Sequence, residues 1–295
     1  MADTLAALRR PSEAFAMVAL DQRESLRTML AAARPGDVPV TDAALTAFKV
    51  DAARALTPFA SAVLLDVDYG LGPVRRAGAI APGCGLIVAA DRLVQAANGP
   101  VEWTEVDDDV FADDQIAAVA DAYKLLVIWR AGEEAERRRV VQAFVEACRR
   151  RDRPAIVEGI VRSRGGAPLA CDDHVELGVL AARELAAVGA DLYKAEVPTL
   201  GAGADEAIRA GSARLTAAID CPWVVLSNGT SPDRFPSACL AAVAGGASGF
   251  LAGRAIWTAS LRAPDLDRHL REVAAPGLAR LAEAVDAAVG VRATG

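Results

Sequence analysis

Pro154-Ala-Ile-Val-Glu-Gly-Ile-Val161, an amphipathic stretch over residues 175–188, and then Asp191-Leu-Tyr-Lys-Ala-Glu-Val-Pro198 together decide the fold. The two flanking segments are strand-length and continuously apolar rather than alternating, the pattern of parallel strands buried on both faces. Each nevertheless carries charge in its interior: Glu158 in the first, Lys194 and Glu196 in the second. The same alternation of short apolar runs and longer helical stretches extends outward in both directions. Runs fall at 14–20, 61–65, 85–89 and 124–129 before the quoted strands, and at 223–226 and 249–252 after them. Further helices are expected over 133–150, 206–219 and 235–244. Eight strands with intervening helices predict an α/β (β/α)8 TIM barrel rather than an open doubly wound sheet. The connection over 70–83 is short for such a crossover. No linker, low-complexity tract or composition shift marks a second domain, so one barrel over residues 1–295 is expected.

Composition narrows the function classes. The chain is 53% hydrophobic with net charge −7, which supplies a large core and argues against a nucleic-acid groove needing clustered Lys and Arg. Arg137-Arg138-Arg139 and Arg149-Arg150-Arg151 share one helix with Glu133, Glu134 and Glu136, and read as a solvated face. Five widely spaced cysteines without a C-x-x-C pair fit a reducing compartment, where Cys is a small core residue. Met1-Ala2-Asp3-Thr4 begins no basic-then-apolar leader, and no apolar stretch approaches the roughly 20 residues that span a bilayer. A cytoplasmic protein with no membrane partner is expected. The two histidines, His174 and His269, lie far apart in polar helical contexts and read as surface residues. A metal site or a Ser-His-Asp triad needs imidazoles placed together or beside a nucleophile, so neither a metal nor another cofactor is expected.

Barrel chemistry sits at the C-terminal ends of the strands. There the chain offers Asp21, Gln22 and Arg23 after the first run, Asp66 and Asp68 after the second, and Asp91 after the third. Lys194 lies mid-strand; burying it charged is costly, and a free amine there can attack a ketone carbonyl to form an iminium, the electron sink for C–C cleavage. The alternative is a strand-edge Lys paired with Glu196. Glu158, in an apolar run, needs either a cationic partner or a proton, so it is a general acid/base or half of a buried ion pair. Lys124 is a second cation in the lumen or a strand-start residue. Ser227-Asn228-Gly229 and Gly249-Phe-Leu-Ala-Gly-Arg254 end the last two runs, where barrels often bind phosphate through loop amides and a short helix. Gly253 would let the backbone approach the anion, and Arg254 would bind it bidentately.

Four segments carry a resemblance: Ala19-Leu-Asp-Gln-Arg-Glu-Ser-Leu26, Leu64-Leu-Asp-Val-Asp-Tyr-Gly-Leu71, Asp191-Leu-Tyr-Lys194 and Gly249-Phe-Leu-Ala-Gly-Arg254. They resemble the tagatose-1,6-bisphosphate aldolase family of class I aldolases. With Phe15-Ala-Met, Phe48-Lys-Val, Ala79-Ile-Ala, Ile87-Val-Ala-Ala-Asp91 and Ala247-Ser-Gly-Phe-Leu-Ala-Gly-Arg-Ala255, the resemblance is closest to its sulfofructose-phosphate aldolases. The segment from Asp66 to Leu71 is more like the bisphosphate-cleaving relatives. The family implies a Schiff base on Lys194, acid/base work by Glu158, and phosphate bound by Ser227, Gly229, Gly253 and Arg254, with Gln22 and Arg23 near the far end of the substrate. Asp21, Asp66, Lys124 and Asn228 are expected to line the same site. A phosphorylated ketose is the expected substrate and a homo-oligomer the expected assembly. A non-catalytic regulator that binds sugar phosphate on the same scaffold is the reading from another class.

Overall fold

The computed structural model describes residues 4–33, 39–95, 99–163 and 169–294; Met1 to Asp3, read above for a leader, lie outside them. Among the described residues ten strands follow one another: β1 (Phe15–Leu20), β2 (Ala62–Leu65), β3 (Gly85–Ala89), β4 (Asp91–Gln95), β5 (Val101–Val106), β6 (Ala122–Trp129), β7 (Ala155–Val161), β8 (Leu192–Glu196), β9 (Trp223–Leu226) and β10 (Gly249–Ala252). Eight of them close into a parallel barrel in the order β1-β10-β9-β8-β7-β6-β3-β2, the TIM barrel expected. The short 70–83 connection suffices because β2 and β3 are direct neighbours, and it holds the helix Leu71–Arg76.

Side chains alternate inward and outward along each strand, and this parity organises the molecule. Inward, Phe15, Met17 and Ala19 meet residues such as Leu64, Ile87, Ala122, Ile156, Leu192, Val224 and Leu251. Leu5 and Leu8, flanking and ending the turn Ala6–Leu8, join that cluster and close the bottom of the barrel. Outward, Val18, Val63, Leu125, Val157 and Val225 pack with the helices in a second, larger core. Two residues further along β6, β7 and β8, the inward series passes from Ala122, Ile156 and Leu192 to Lys124, Glu158 and Lys194. The lumen turns from apolar to charged within one pleat.

Two features depart from expectation. β4 and β5 form an antiparallel hairpin inserted between β3 and β6. Only one face of this ribbon is packed, as its alternating exposure shows, so it lacks the continuous apolar run that marks the barrel strands. Arg137 is not part of a solvated face. It is fully buried, bidentate to Glu184, bonded to the carbonyls of Arg130 and Gly132, and stacked on Trp129. Its neighbours Arg138 and Arg139 are exposed as expected. No helix among the described residues is long and apolar enough to cross a membrane.

Candidate active site

At the C-terminal mouth of the barrel lies a cavity of about 410 Å³. Lys194 and Glu158 are register partners on adjacent strands, so their side chains emerge side by side. Lys194 Nζ donates to Glu158 Oε2 at 2.8 Å, and the same oxygen lies 3.0 Å from Lys124 Nζ. Lys124 also donates to Asp21 Oδ2 at 2.8 Å and Asp91 Oδ2 at 2.9 Å. Its strand begins at Ala122, two residues earlier than expected, which places Lys124 inside the lumen rather than at a strand start.

The two lysines are therefore not equivalent. Burial alone would disfavour the charge on Lys124, but Asp21, Asp91 and Glu158 outweigh it and hold the ammonium well above its ordinary value. Burial likewise works to raise Asp21, and the charges of Lys124 and Lys194 reverse it, so Asp21 stays ionised. Lys124 is a fixed cation where three carboxylates converge. Lys194 has a single carboxylate partner among the described residues, 2.8 Å away, and faces the cavity.

On the β1 side, Gln22 and Arg23 line the cavity. Arg23 donates to the Asp91 carbonyl at 2.9 Å and to Asp91 Oδ1 at 3.1 Å. Its Nε lies 3.1 Å from Asp68 Oδ2 without the alignment of a hydrogen bond. Across the mouth stand Arg254, at the start of the short helix Arg254–Trp257, and Asn228, whose Oδ1 accepts from Arg254 Nη2. Burial draws the Arg254 guanidinium below its ordinary value, a cost that an anion would relieve.

The remaining expected residues divide. Ser227 has the opposite parity to Asn228: it is buried, and its hydroxyl accepts from the Ala255 amide at 3.3 Å rather than lining the cavity. Gly229, at φ +77°, makes a turn in which a Cβ would meet Leu200 at 2.8 Å, and it too lies off the cavity wall. Gly253 serves close approach: a Cβ there would sit 2.5 Å from the Ala19 carbonyl and 2.8 Å from the Gln22 amide. Asp66 is not at the cavity. β2 ends at Leu65, the chain turns at once through the Tyr69 N–H bonded to Asp66 Oδ2, and inward parity is lost. Asp66 instead pairs, fully buried, with Lys49, which also donates to the Leu20 carbonyl at 2.8 Å. Burial pushes Lys49 down and Asp66 up against their mutual attraction. Lys49→Met should cost about 3–5 kcal/mol in chemical denaturation, because it strands a buried carboxylate, and adding Asp66→Asn should recover part of it. A loss under about 1 kcal/mol would mean the pair does not hold the ends of β1 and β2 together.

His174 is a further correction. It is buried, with Nδ1 2.8 Å from the Pro198 carbonyl and Nε2 3.2 Å from Glu196 Oε2. A helix that leans its first turn on the β8 end can bury a polar residue there, which a one-dimensional polar context does not reveal. Asp91, read above as a polar strand-end residue but given no role in the site, lines the cavity, and so does Arg162, which was not singled out. Parity accounts for both: Asp91 continues the inward series Ile87, Ala89, and Arg162 continues Glu158, Ile160. Among the described residues no group of three His, Cys, Asp or Glu side chains could hold a metal ion; the three carboxylates at the mouth converge on the Lys124 ammonium instead.

A closed parallel barrel with a lysine, a paired carboxylate and an arginine-edged mouth is the architecture of a barrel enzyme, and comparison with solved structures agrees on the fold. The fructose-bisphosphate aldolase of Plasmodium falciparum superposes with TM-score 0.71 at 13% identity, over 98% of this chain and 96% of that one. A Schiff-base-forming fructose-1,6-bisphosphate aldolase gives 0.62 at 14% identity, over 96% and 98%. In sequence, the tagatose 1,6-diphosphate aldolase 1 of Streptococcus pyogenes serotype M1 is 29% identical over 268 residues, covering 83% of this chain and 81% of the relative. The DeoC/LacD family aldolase model matches residues 15–259. The chain belongs to the DeoC/LacD family of class I aldolases and is a lyase.

Proposed function

We propose that the chain cleaves a six-carbon ketose phosphate through a Schiff base on Lys194, releasing dihydroxyacetone phosphate and a three-carbon aldehyde. The observation that carries this reading is the Lys194–Glu158 pair, 2.8 Å apart at the floor of the cavity, with Lys124 fixed beside it as an ammonium. Passing its proton to Glu158 frees the Lys194 amine to attack the C2 carbonyl; Glu158 then returns that proton to the carbinolamine hydroxyl, which leaves as water, so that an iminium and an ionised Glu158 result. Glu158 then takes the C4 hydroxyl proton. The C3–C4 bond breaks, its electron pair moves into the iminium to form an enamine, and the aldehyde departs. Protonation at C3 and hydrolysis return the amine. Arg254, Asn228 and Arg162 form the pole that would hold the phosphate of the dihydroxyacetone half.

The substrate proposed is 6-deoxy-6-sulfofructose 1-phosphate, giving 3-sulfolactaldehyde. Support comes from the far end of the cavity, where the charge of Arg23 is already met by Asp91 and Asp68. A phosphate monoester, close to a dianion at neutral pH, is repelled more by those carboxylates than a monoanionic sulfonate is. The second reading is tagatose or fructose 1,6-bisphosphate cleavage, favoured by what the similar Streptococcus protein is named for. Parallel initial rates decide between them. kcat/KM on the sulfonated substrate should exceed that on either bisphosphate by at least about tenfold, roughly 1.4 kcal/mol in the transition state. A higher value on tagatose 1,6-bisphosphate sinks the sulfosugar assignment and leaves the aldolase standing.

A further inference from the structure

Glu196 sits two residues beyond Lys194 on β8, with its side chain 2% exposed. It stands apart from the Lys194–Glu158 pair, yet among the described residues four groups converge on it. Oε2 accepts from the Val161 amide at 2.9 Å and faces His174 Nε2 at 3.2 Å. Oε1 accepts from Asn228 Nδ2 at 2.5 Å and lies 3.5 Å from Arg162 Nη1. Both cationic arms of the anion pole thus run back to one buried group: Arg162 directly, Arg254 through Asn228.

Chemistry dictates the orientation of every member. A carboxylate only accepts and a guanidinium only donates, so Asn228 must turn Nδ2 to Glu196 and Oδ1 to Arg254. A carbonyl only accepts, so His174 Nδ1 must carry a proton toward Pro198. A bond between Nε2 and Glu196 then needs a second proton, which makes the clasp an imidazolium on a carboxylate. We propose that Glu196, clasped by His174, is a positioning residue that aims Arg162 and the Asn228–Arg254 pair at the substrate's phosphate, and that the proton on His174 sets how firmly it does so. The proposal rests on the anion pole read above.

Loss of that proton turns a lone pair toward Glu196 Oε2, frees the carboxylate to draw Arg162 away from the anion, and removes one positive charge near the pole. All three weaken anion binding. Among the described residues the groups facing the imidazole are Glu196 from β8, Arg162 from the end of β7, and Tyr193, which lines the same small cavity and which burial keeps neutral. Helix Asp205–Thr216 brings only Gly211 and Leu215 there. Burial works to lower His174, and the hydrogen bond and charge of Glu196 outweigh it, so the imidazole titrates above its ordinary value.

Sulfate is a dianion throughout the neutral range, so its affinity for the full chain reports the protein alone. Calorimetric titration with sulfate should show wild-type Kd rising as pH climbs past about 6.5 and through the His174 titration. His174→Gln, which can donate to Glu196 at every pH, should flatten that dependence. Glu196→Gln leaves one mismatched donor in either amide orientation, and should weaken sulfate by about tenfold and raise KM more than it lowers kcat. Sulfate affinity and KM unchanged in Glu196→Gln, or a pH dependence kept intact in His174→Gln, would overturn the positioning role. Arg254→Ala separates the two layers. If it loses sulfate while Glu196→Gln keeps it, only the positioning role falls; if Arg254→Ala itself binds sulfate normally, the anion pole falls and this proposal with it.

Discussion

Lys194→Ala is expected to lower cleavage by roughly 10⁴-fold or more and to abolish the adduct that borohydride traps with dihydroxyacetone phosphate. The expectation follows from parity and charge together. Inward parity brings two lysines, Lys124 and Lys194, to the lumen at the level of Glu158. Three carboxylates hold Lys124 as an ammonium, which has no lone pair to offer a carbonyl. Lys194 shares one proton acceptor with it and, among the described residues, has no other carboxylate within ion-pair distance. Peptide mass mapping of the reduced wild-type complex should place the added mass on Lys194. Mass on Lys124 instead would reverse the roles of the two. Chelating agents are expected to leave the rate unchanged, because an ammonium fills the point where the carboxylates converge; strong inhibition would count against this arrangement.

Glu158→Gln carries the second largest effect, a fall in kcat of roughly 10²–10⁴ with borohydride trapping at Lys194 retained. The carboxylate oxygen Oε2 serves both lysines, at 2.8 Å and 3.0 Å. An amide can accept from them but cannot take the Lys194 proton or the C4 hydroxyl proton, so cleavage slows while slow imine formation, with solvent taking the Lys194 proton, persists. The same substitution also leaves two buried cations with less compensation, and a folded-state check by circular dichroism must accompany the kinetics. A variant that does not fold points to an ion pair that holds β6, β7 and β8 together. Near-normal turnover in a folded variant removes Glu158 from the chemistry.

Legibility followed the local signal. Barrel strands were visible because both faces are buried, which makes them continuously apolar over the lengths strands require; 85–89, 223–226 and 249–252 match the structure residue for residue. Lys194 and Glu158 stood out because charge inside such a run is costly and needs a reason. The β4–β5 hairpin stayed hidden because half its residues face solvent. Arg162 was overlooked, and Asp91 was noted at a strand end without a role, although alternation carried both inward past the visible strands, whereas Asp66 misled because its strand stops one residue short and the chain turns outward.

By itself, then, the sequence determined the barrel and the identity of its two central charged residues, since hydrophobic periodicity and the penalty for buried charge are both local properties of the chain. Partnership was decided only by the tertiary structure. That Lys124 is the saturated cation and Lys194 is not depends on Asp21, Asp91 and Glu158, which come from just past the end of β1, the start of β4 and the interior of β7. That His174 lies buried against Glu196, and that Arg23 is neutralised while Arg254 is not, depends likewise on contacts between residues far apart in the chain. Electrostatic roles are set by distances of 3 to 4 Å across the closed barrel, and no spacing along one strand or helix encodes them.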